Sequence, residues 1–135
     1  MKERIIQKKG RIREYLALIA GLEPDCREKF LSDPIYRGAL LHYLYLMADS
    51  CVSLAEMVIR DKDLRPPQSY HEAFDILGEA RILDVEFACS FAKIAGIRNF
   101  LAHDYEIVDA QVICNEILPQ VNEVKEYLEQ LEDLH

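Results

Sequence analysis

One long apolar stripe constrains the fold of this chain more than any other feature. From residue 36, apolar side chains recur at alternating steps of four and three residues, which is the repeat of one helix face. The members of the stripe are Tyr36, Leu40, Leu44, Met47, Cys51, Leu54 and Val58. Asp33 and Pro34 precede it as helix cap and first helical residue. The pattern predicts a helix to about residue 61 that other helices must cover.

Four further segments have helical periodicity, and no segment has the alternation typical of a strand. We expect helices at about 3–20, 69–78 and 84–102, and a last one from residue 109, with a short helical turn after Pro24. Ser69 and Glu72 form a capping box, Gly78 ends that helix, and Pro119 is expected to bend the last one locally. Short links between such segments predict an all-α, up-down four-helix bundle with an additional short helix. At 135 residues, 1–135 is expected to be a single domain.

The cysteines indicate a reducing compartment. They stand at positions 26, 51, 89 and 114 without a CxxC pair, and three fall within helical apolar patterns. Buried reduced thiols are therefore expected in preference to a zinc site or a secreted disulfide framework. We find no targeting segment and no run near the ~18 apolar residues of a membrane span. The predicted location is the cytoplasm, without a membrane.

Charge is distributed unevenly along the chain. The net charge of −8 argues against a protein that binds nucleic acid over its whole surface. Residues 1–13 nevertheless carry six basic residues and one acidic residue, a balance of +5 that leaves −13 on the rest. This basic end is available to phosphates, although a solvated helix face explains it equally well.

Polar residues interrupt an apolar helical pattern at 98–105. Phe87, Phe91 and Ile94 recur at helical spacing, so Arg98 occupies a position assigned to a packed face, where an unpaired guanidinium would be unfavourable. A second stripe consists of small residues that permit close approach of a helix or ligand, and we expect its alanines Ala88, Ala92 and Ala95, which adjoin Arg98, to pack close to a two-fold axis. Its members are Ala88, Ala92, Ala95, Asn99 and Ala102.

The spacing Arg98, four residues, His103, one residue, Tyr105 resembles the RX4HXY signature of HepT-like proteins, the DUF86 branch of the HEPN superfamily. The residues around Ser69 and Tyr70 also look like that family, and the resemblance covers roughly 34–132. It implies a homodimer in which the motifs of both copies meet in one cleft. It also implies that Tyr105 is adenylylated by a partner minimal nucleotidyltransferase, whereas the residues alone favour a packed tyrosine with a wet hydroxyl.

Helix geometry limits how this motif works. Five residues advance 500°, so Arg98 and His103 lie about 140° apart around the axis. They converge only if the helix ends near His103 or if a two-fold axis completes the site. Asn99 lies one turn before His103 and could orient its imidazole.

These residue types suit RNA cleavage without a metal or cofactor. His103 can exchange protons with a ribose 2′-hydroxyl or a leaving 5′-oxygen near neutral pH, and Arg98 can stabilise the phosphorus transition state. This chemistry predicts a metal-independent endoribonuclease, and the resemblance to HepT-like proteins implies that it is the toxin of a pair with a nucleotidyltransferase antitoxin. A non-catalytic HEPN binding module that partners a nucleotidyltransferase is the main alternative, and a plain structural bundle is the third.

Other candidates are weaker. His42 and His71 are expected to be structural or surface residues. Arg37, with Tyr36 and Tyr43, could line the cleft, but a solvated arginine is the simpler expectation. The chain has no phosphate-binding glycine loop and lacks the two internal Glu-x-x-His motifs of a di-metal bundle.

Overall fold

The computed structural model describes residues 2–103 and 109–132, and every regular element among them is a helix. The α-helices are α1 (Lys2–Leu22), α2 (Cys26–Lys29), α3 (Pro34–Asp61), α4 (Tyr70–Glu79), α5 (Val85–Phe91), α6 (Ile94–His103) and α7 (Leu118–Glu132). A 3-10 turn, Glu23–Asp25, precedes α2, and a π-helical segment, Val112–Ile117, leads into α7. The predicted all-α helical class is confirmed.

Helix α3 is the centre of the bundle. It begins as predicted, with Asp33 Oδ1 accepting the backbone N–H groups of Ile35 at 3.1 Å and Tyr36 at 3.2 Å. Its predicted apolar stripe is buried throughout. Helix α1 packs against α3, which also contacts α4 and α6. Tyr127 of α7 completes the core, and its hydroxyl donates to the carbonyl of Cys51 at 2.9 Å.

By length and composition alone, α3 is long and apolar enough to cross a membrane. Its most apolar 18-residue window has a mean hydropathy of 1.2, and 56% of that window is buried inside the bundle. A core helix that is covered by neighbours on several sides has this composition for the same reason.

The predicted motif helix at 84–102 is two helices, which corrects the sequence interpretation. Helix α5 ends at Phe91 and α6 begins at Ile94. At the break, the N–H of Ala95 donates to Ala92 O at 3.1 Å, a bond across three residues instead of four. This tight turn lets α5 pack on α4 while α6 packs on α3. The two residues between the helices are neither glycine nor proline, and the apolar repeat continues across them. The sequence therefore gives no sign that the helix ends there.

The three alanines at the start of the small-residue stripe pack inside the chain instead of on an external two-fold axis. Ala88, Ala92 and Ala95 are 1%, 0% and 3% exposed. A Cβ placed on Gly78 of α4 would lie 2.9 Å from the Cβ of Ala88, so the small residues allow α4 and α5 to approach closely. The expectation that these alanines adjoin a second copy is therefore wrong.

The prediction of reduced thiols is wrong for two of the four cysteines, and the prediction of burial is wrong for a third. Cys26 and Cys114 form a disulfide that joins α2 to the π-helical segment, and Cys89 is exposed. The bonded residues are 88 positions apart, yet folding brings their Cα atoms to 5.8 Å, a proximity that sequence spacing does not reveal. Cys51 is a buried free thiol as expected, and burial raises its pKa.

The last helical region begins at the predicted cap and widens before Pro119. Asp109 Oδ1 accepts the N–H of Gln111 at 2.7 Å. Further on, the N–H of Leu118 donates to Ile113 O, five residues back. Proline has no N–H, and its ring clashes with the carbonyl four residues earlier in a regular α-helix. The wider π-helical turn accommodates that ring, and it lies where the local distortion was expected.

Candidate active site around Arg98

Arg98 projects from α6 towards α3 and is anchored there by Asp49. Its Nε donates to Asp49 Oδ1 at 3.0 Å, and its side chain is only 18% exposed. The sequence placed an arginine on a packed face, and the carboxylate supplies the partner that such a position requires. The ion pair therefore fixes the direction of the guanidinium.

Two further hydrogen bonds and two aromatic rings surround the same group. Arg98 Nη1 donates to Asn99 Oδ1 at 3.2 Å, and Nη2 donates to the Tyr45 hydroxyl at 3.4 Å. The guanidinium carbon lies 4.9 Å from the ring centroid of Tyr70 and 5.6 Å from that of Tyr45. A guanidinium has five N–H groups, and two of those of Arg98, one on each terminal nitrogen, have no acceptor among residues 2–103 and 109–132. Paired N–H groups match the oxygens of a phosphate.

The environment of Arg98 favours its positively charged form. Burial opposes the charged form, but the hydrogen bond to Asp49 and the neighbouring Tyr45, Asp49 and Tyr70 outweigh it, so the pKa of Arg98 is raised. The side chain thus presents a permanent positive charge.

A shallow groove of about 380 Å³ lies beside this cluster. Its lining consists of Glu56, Pro67, Gln68, Ser69, Tyr70 and Asn99. The wall formed by residues 67–70 is held in place because Ser69 Oγ caps α4 by accepting the N–H of Glu72 at 3.0 Å. Glu72 also accepts from Gln68 N and from Arg65, at 3.0 and 3.1 Å. Hydrogen bonds to Glu72 and the cap of α4 therefore hold the 67–70 side of the groove in place.

His103 lies at the last position of α6 and is exposed, as is Asn99. The structure brings Asn99 together with Arg98, but no hydrogen bond joins His103 to either residue within the described ranges. This agrees with the angular separation expected from helix geometry. The Asn99 oxygen receives its hydrogen bond from Arg98 instead of from the imidazole. Tyr105 lies outside the described residues.

Sequence reasoning missed the residues that hold Arg98. Tyr45, Asp49 and Glu56 share one face of α3, since they are four and seven residues apart. These three polar residues form a second stripe beside the apolar stripe of α3, which indicates a functional face. Nothing in the sequence indicates that this face contacts Arg98. The sequence around Tyr70 resembles the family but does not indicate that its ring contacts Arg98.

The weaker candidate residues make contacts away from Arg98. Arg37 Nη1 donates to Phe30 O at 3.0 Å, next to α2, and the Tyr36 hydroxyl donates to Leu22 O at the end of α1, so both hold the start of α3. Tyr43 stacks on Tyr15, and His71 contacts Asp75 at 3.2 Å on the surface. None of them lines the Arg98 groove. Within residues 2–103 and 109–132, no group of three or more His, Cys, Asp or Glu side chains is arranged to hold a metal ion.

The sequence matches a known protein family over most of its length. The model of the family described as "Ribonuclease HepT-like" matches residues 12–131. The chain belongs to the ribonuclease HepT-like family. The predicted family is thus confirmed, and the expectation of an enzyme that acts on RNA is confirmed at the level of this ribonuclease family.

Similar proteins include curated members and a solved complex. The mRNA nuclease HepT of Shewanella oneidensis is 20% identical over 129 residues, covering 96% of each chain. A putative RNase of Archaeoglobus fulgidus is 29% identical over 105 residues, covering 75% of this chain and 76% of the relative. A tri-AMPylated Shewanella oneidensis HEPN toxin in complex with an MNT antitoxin superposes with a TM-score of 0.85 at 20% identity, covering 98% of both chains. Likeness at this identity establishes the HEPN-like fold of the HepT-like chain.

Proposed function

We propose that this HepT-like protein is a metal-independent endoribonuclease and the toxin of a HEPN/MNT toxin–antitoxin pair. The observation that carries the proposal is Arg98, a half-buried guanidinium with a permanent charge and two N–H groups left for a phosphate. Exposed His103 on the same helix supplies the proton-transfer group. Residues 1–135 act as one domain in this proposal, in the cytoplasm where cellular RNA is found.

The chemistry follows from the two side chains. Neutral His103 accepts the proton of a ribose 2′-hydroxyl, whose oxygen attacks the adjacent phosphorus. Arg98 stabilises the negative charge that develops on the phosphoryl oxygens. The protonated imidazole of a second His103, supplied by the other copy of a homodimer, donates its proton to the leaving 5′-oxygen. The products are a 2′,3′-cyclic phosphate end and a 5′-hydroxyl end.

In this proposal, a homodimer brings Arg98 and His103 together in one active site. Arg98 faces α3 and His103 is exposed at the helix end, so one chain presents the two groups in different directions. A two-fold axis near the end of α6 would place the histidine of one copy beside the arginine of the other, and the two histidines would divide the base and acid roles. The buried alanines Ala88, Ala92 and Ala95 take no part in this interface.

Regulation is proposed to act at Tyr105, two residues after His103 in the sequence. A minimal nucleotidyltransferase antitoxin would transfer AMP to its hydroxyl, and support comes from the AMPylated relative bound to an MNT antitoxin. The added phosphodiester brings bulk and about one negative charge close to the catalytic histidine. RNA phosphate would then be repelled from the site.

One observation favours a second candidate, the non-catalytic binding module. Asp49 already occupies Arg98 Nε with a carboxylate, which offsets much of the positive charge that an RNA phosphate would meet. In that case the groove beside Asn99 serves a partner protein, and no cleavage occurs.

Cleavage assays with matched histidine variants separate the two. His103→Ala should lower the RNA cleavage rate by about 10²-fold or more in the presence of chelator, while His71→Ala, which removes another exposed histidine, should cut at the wild-type rate. Absence of cleavage by wild-type protein, or equal activity of His103→Ala and His71→Ala, would reject the nuclease site.

A further inference from the structure

A basic groove runs between α1 and α3, away from the Arg98 cluster. Arg4, Lys8 and Arg11 are spaced four and three residues apart, so their side chains share one face of α1. The groove has a volume of about 380 Å³. Its lining consists of Arg4, Gln7, Lys8, Arg11, Tyr15, Ser50 and Met57.

The three cations of this groove have no acidic partner among the residues that the structure describes. None of them forms an ion pair with a residue in the described ranges, whereas Arg13 pairs with Glu132, Lys29 with Asp25 and Lys93 with Glu123. Like charges one helical turn apart repel each other, and the chain carries a net charge of −8 that could have balanced them. An unpaired basic stripe on an acidic protein is the arrangement expected for an anionic ligand.

The basic groove and the Arg98 site lie at the same level of α3. Adjacent residues of that helix are divided between them: Asp49 contacts Arg98 while Ser50 lines the basic groove. Two turns further on, Glu56 lines the Arg98 groove while Met57 lines the basic one. Adjacent helical residues point about 100° apart. The two grooves therefore flank α3 and are separated by about one helix width, roughly 10–12 Å.

An aromatic ring stands at the same groove. Tyr15 is half-buried and stacks on Tyr43, with ring centroids 6.5 Å apart and planes inclined by 28°. Aromatic side chains next to a cationic groove are the combination by which proteins hold single-stranded nucleic acid, because bases stack on the rings while the cations follow the phosphates.

We propose that the α1–α3 groove is a second RNA-binding site, which holds the phosphate backbone of a single strand about three nucleotides from the scissile phosphate at Arg98. The spacing comes from one helix width and a rise of about 3.4 Å per nucleotide along a stacked strand. The inference rests on the proposed nuclease function for the identity of the ligand, and its cations act on binding, not on the chemical step.

The test uses a triple variant, Arg4→Gln, Lys8→Gln and Arg11→Gln, in the full chain. A control, Arg13→Gln, Lys29→Gln and Lys125→Gln, removes the same charge from exposed positions outside the groove. The probe is a fluorescent single-stranded RNA of about twelve nucleotides with 2′-O-methyl groups, which cannot be cut by 2′-hydroxyl attack. Affinity is measured by polarisation from about 50 to 200 mM salt.

The groove variant should bind on the order of 10-fold more weakly than wild type at low salt, and its slope of log affinity against log salt should be smaller by about 2, since each phosphate contact contributes about 0.7 for single strands. The control should stay close to wild type. Equal affinity and slope for groove variant and wild type, or an equal loss in the control, would overturn the proposal.

Cleavage distinguishes failure of this site from failure of the nuclease. For a cleavable RNA of the same length, the groove variant should raise KM with kcat unchanged, and a dinucleotide, too short to span α3, should be cut equally by both proteins. If wild type binds through the groove but cuts nothing, the nuclease proposal fails alone. If it cuts RNA and the groove variant binds normally, the second site fails alone.

Discussion

Asp49 is predicted to be a positioning residue for Arg98, and Asp49→Ala tests it. The hydrogen bond to Arg98 spans 3.0 Å, with side chains 18% exposed for Arg98 and 40% exposed for Asp49. A hydrogen bond to a charged group contributes about 1.5–3 kcal/mol when shielded. The exposure of Asp49 screens the pair, which reduces the expected loss of unfolding free energy to about 1 kcal/mol. The protein should therefore stay folded at room temperature.

The effect on catalysis should exceed the effect on stability. Without its anchor, the guanidinium can shift by about 1 Å, and a displacement of that size costs about 10²-fold in rate. Asp49→Ala should thus lower kcat for RNA cleavage by about 10- to 100-fold with a smaller change in KM. Asp49→Asn keeps an acceptor oxygen and should retain more activity. The control is Asp75→Ala, which breaks an exposed pair with His71.

Single-turnover cleavage of labelled RNA measures the rate, and urea denaturation measures the unfolding free energy. Wild-type rates for Asp49→Ala, with its expected stability loss, would refute the positioning role. The positioning role would also be refuted if the loss of cleavage rate in Asp49→Ala equalled the fraction of that variant that is unfolded under the assay conditions.

Three further predictions concern stability and regulation. Gly78→Ala should lower the unfolding free energy measured in urea by about 1–3 kcal/mol, because the new Cβ lies 2.9 Å from the Cβ of Ala88. Gly38→Ala, with open space around it, should raise the unfolding free energy by up to about 1 kcal/mol. Equal effects of the two substitutions would contradict the close packing of α4 on α5. Reduction of Cys26–Cys114, which closes a loop of 88 residues, should lower the unfolding free energy by about 2–4 kcal/mol, and an unchanged midpoint with reductant would argue against the crosslink. Tyr105→Phe, which lacks the acceptor oxygen, should resist adenylylation by the partner nucleotidyltransferase and escape inactivation; intact-mass analysis showing full labelling would move the modification elsewhere.

Local signals in the sequence were sufficient for most of the helices. Asp33 with Pro34, and Ser69 with Glu72, act within one helical turn, so their capping roles are readable without the fold. The break after Phe91 was missed because its turn contains only residues that also favour helix, and its cause is the packing of α5 and α6 on different partners.

The site was predictable only in part. The position of Arg98 on a packed face implied that a partner must exist, but which side chain fills that need depends on how α6 meets α3, and so Asp49 was not found. The same holds for Cys26 and Cys114, whose proximity arises from tertiary structure. The separation of Arg98 from His103 within one chain was readable because a regular helix fixes that angle.

The most direct test of the central claim is cleavage of a strand that is 2′-O-methylated at every nucleotide except one ribonucleotide. If the 2′-hydroxyl is the nucleophile, wild-type protein should cut only after that ribose, with chelator present, and leave a 2′,3′-cyclic phosphate detectable by mass spectrometry. Cleavage at methylated positions, a dependence on added magnesium, or a product with a plain 3′-hydroxyl end would contradict the mechanism.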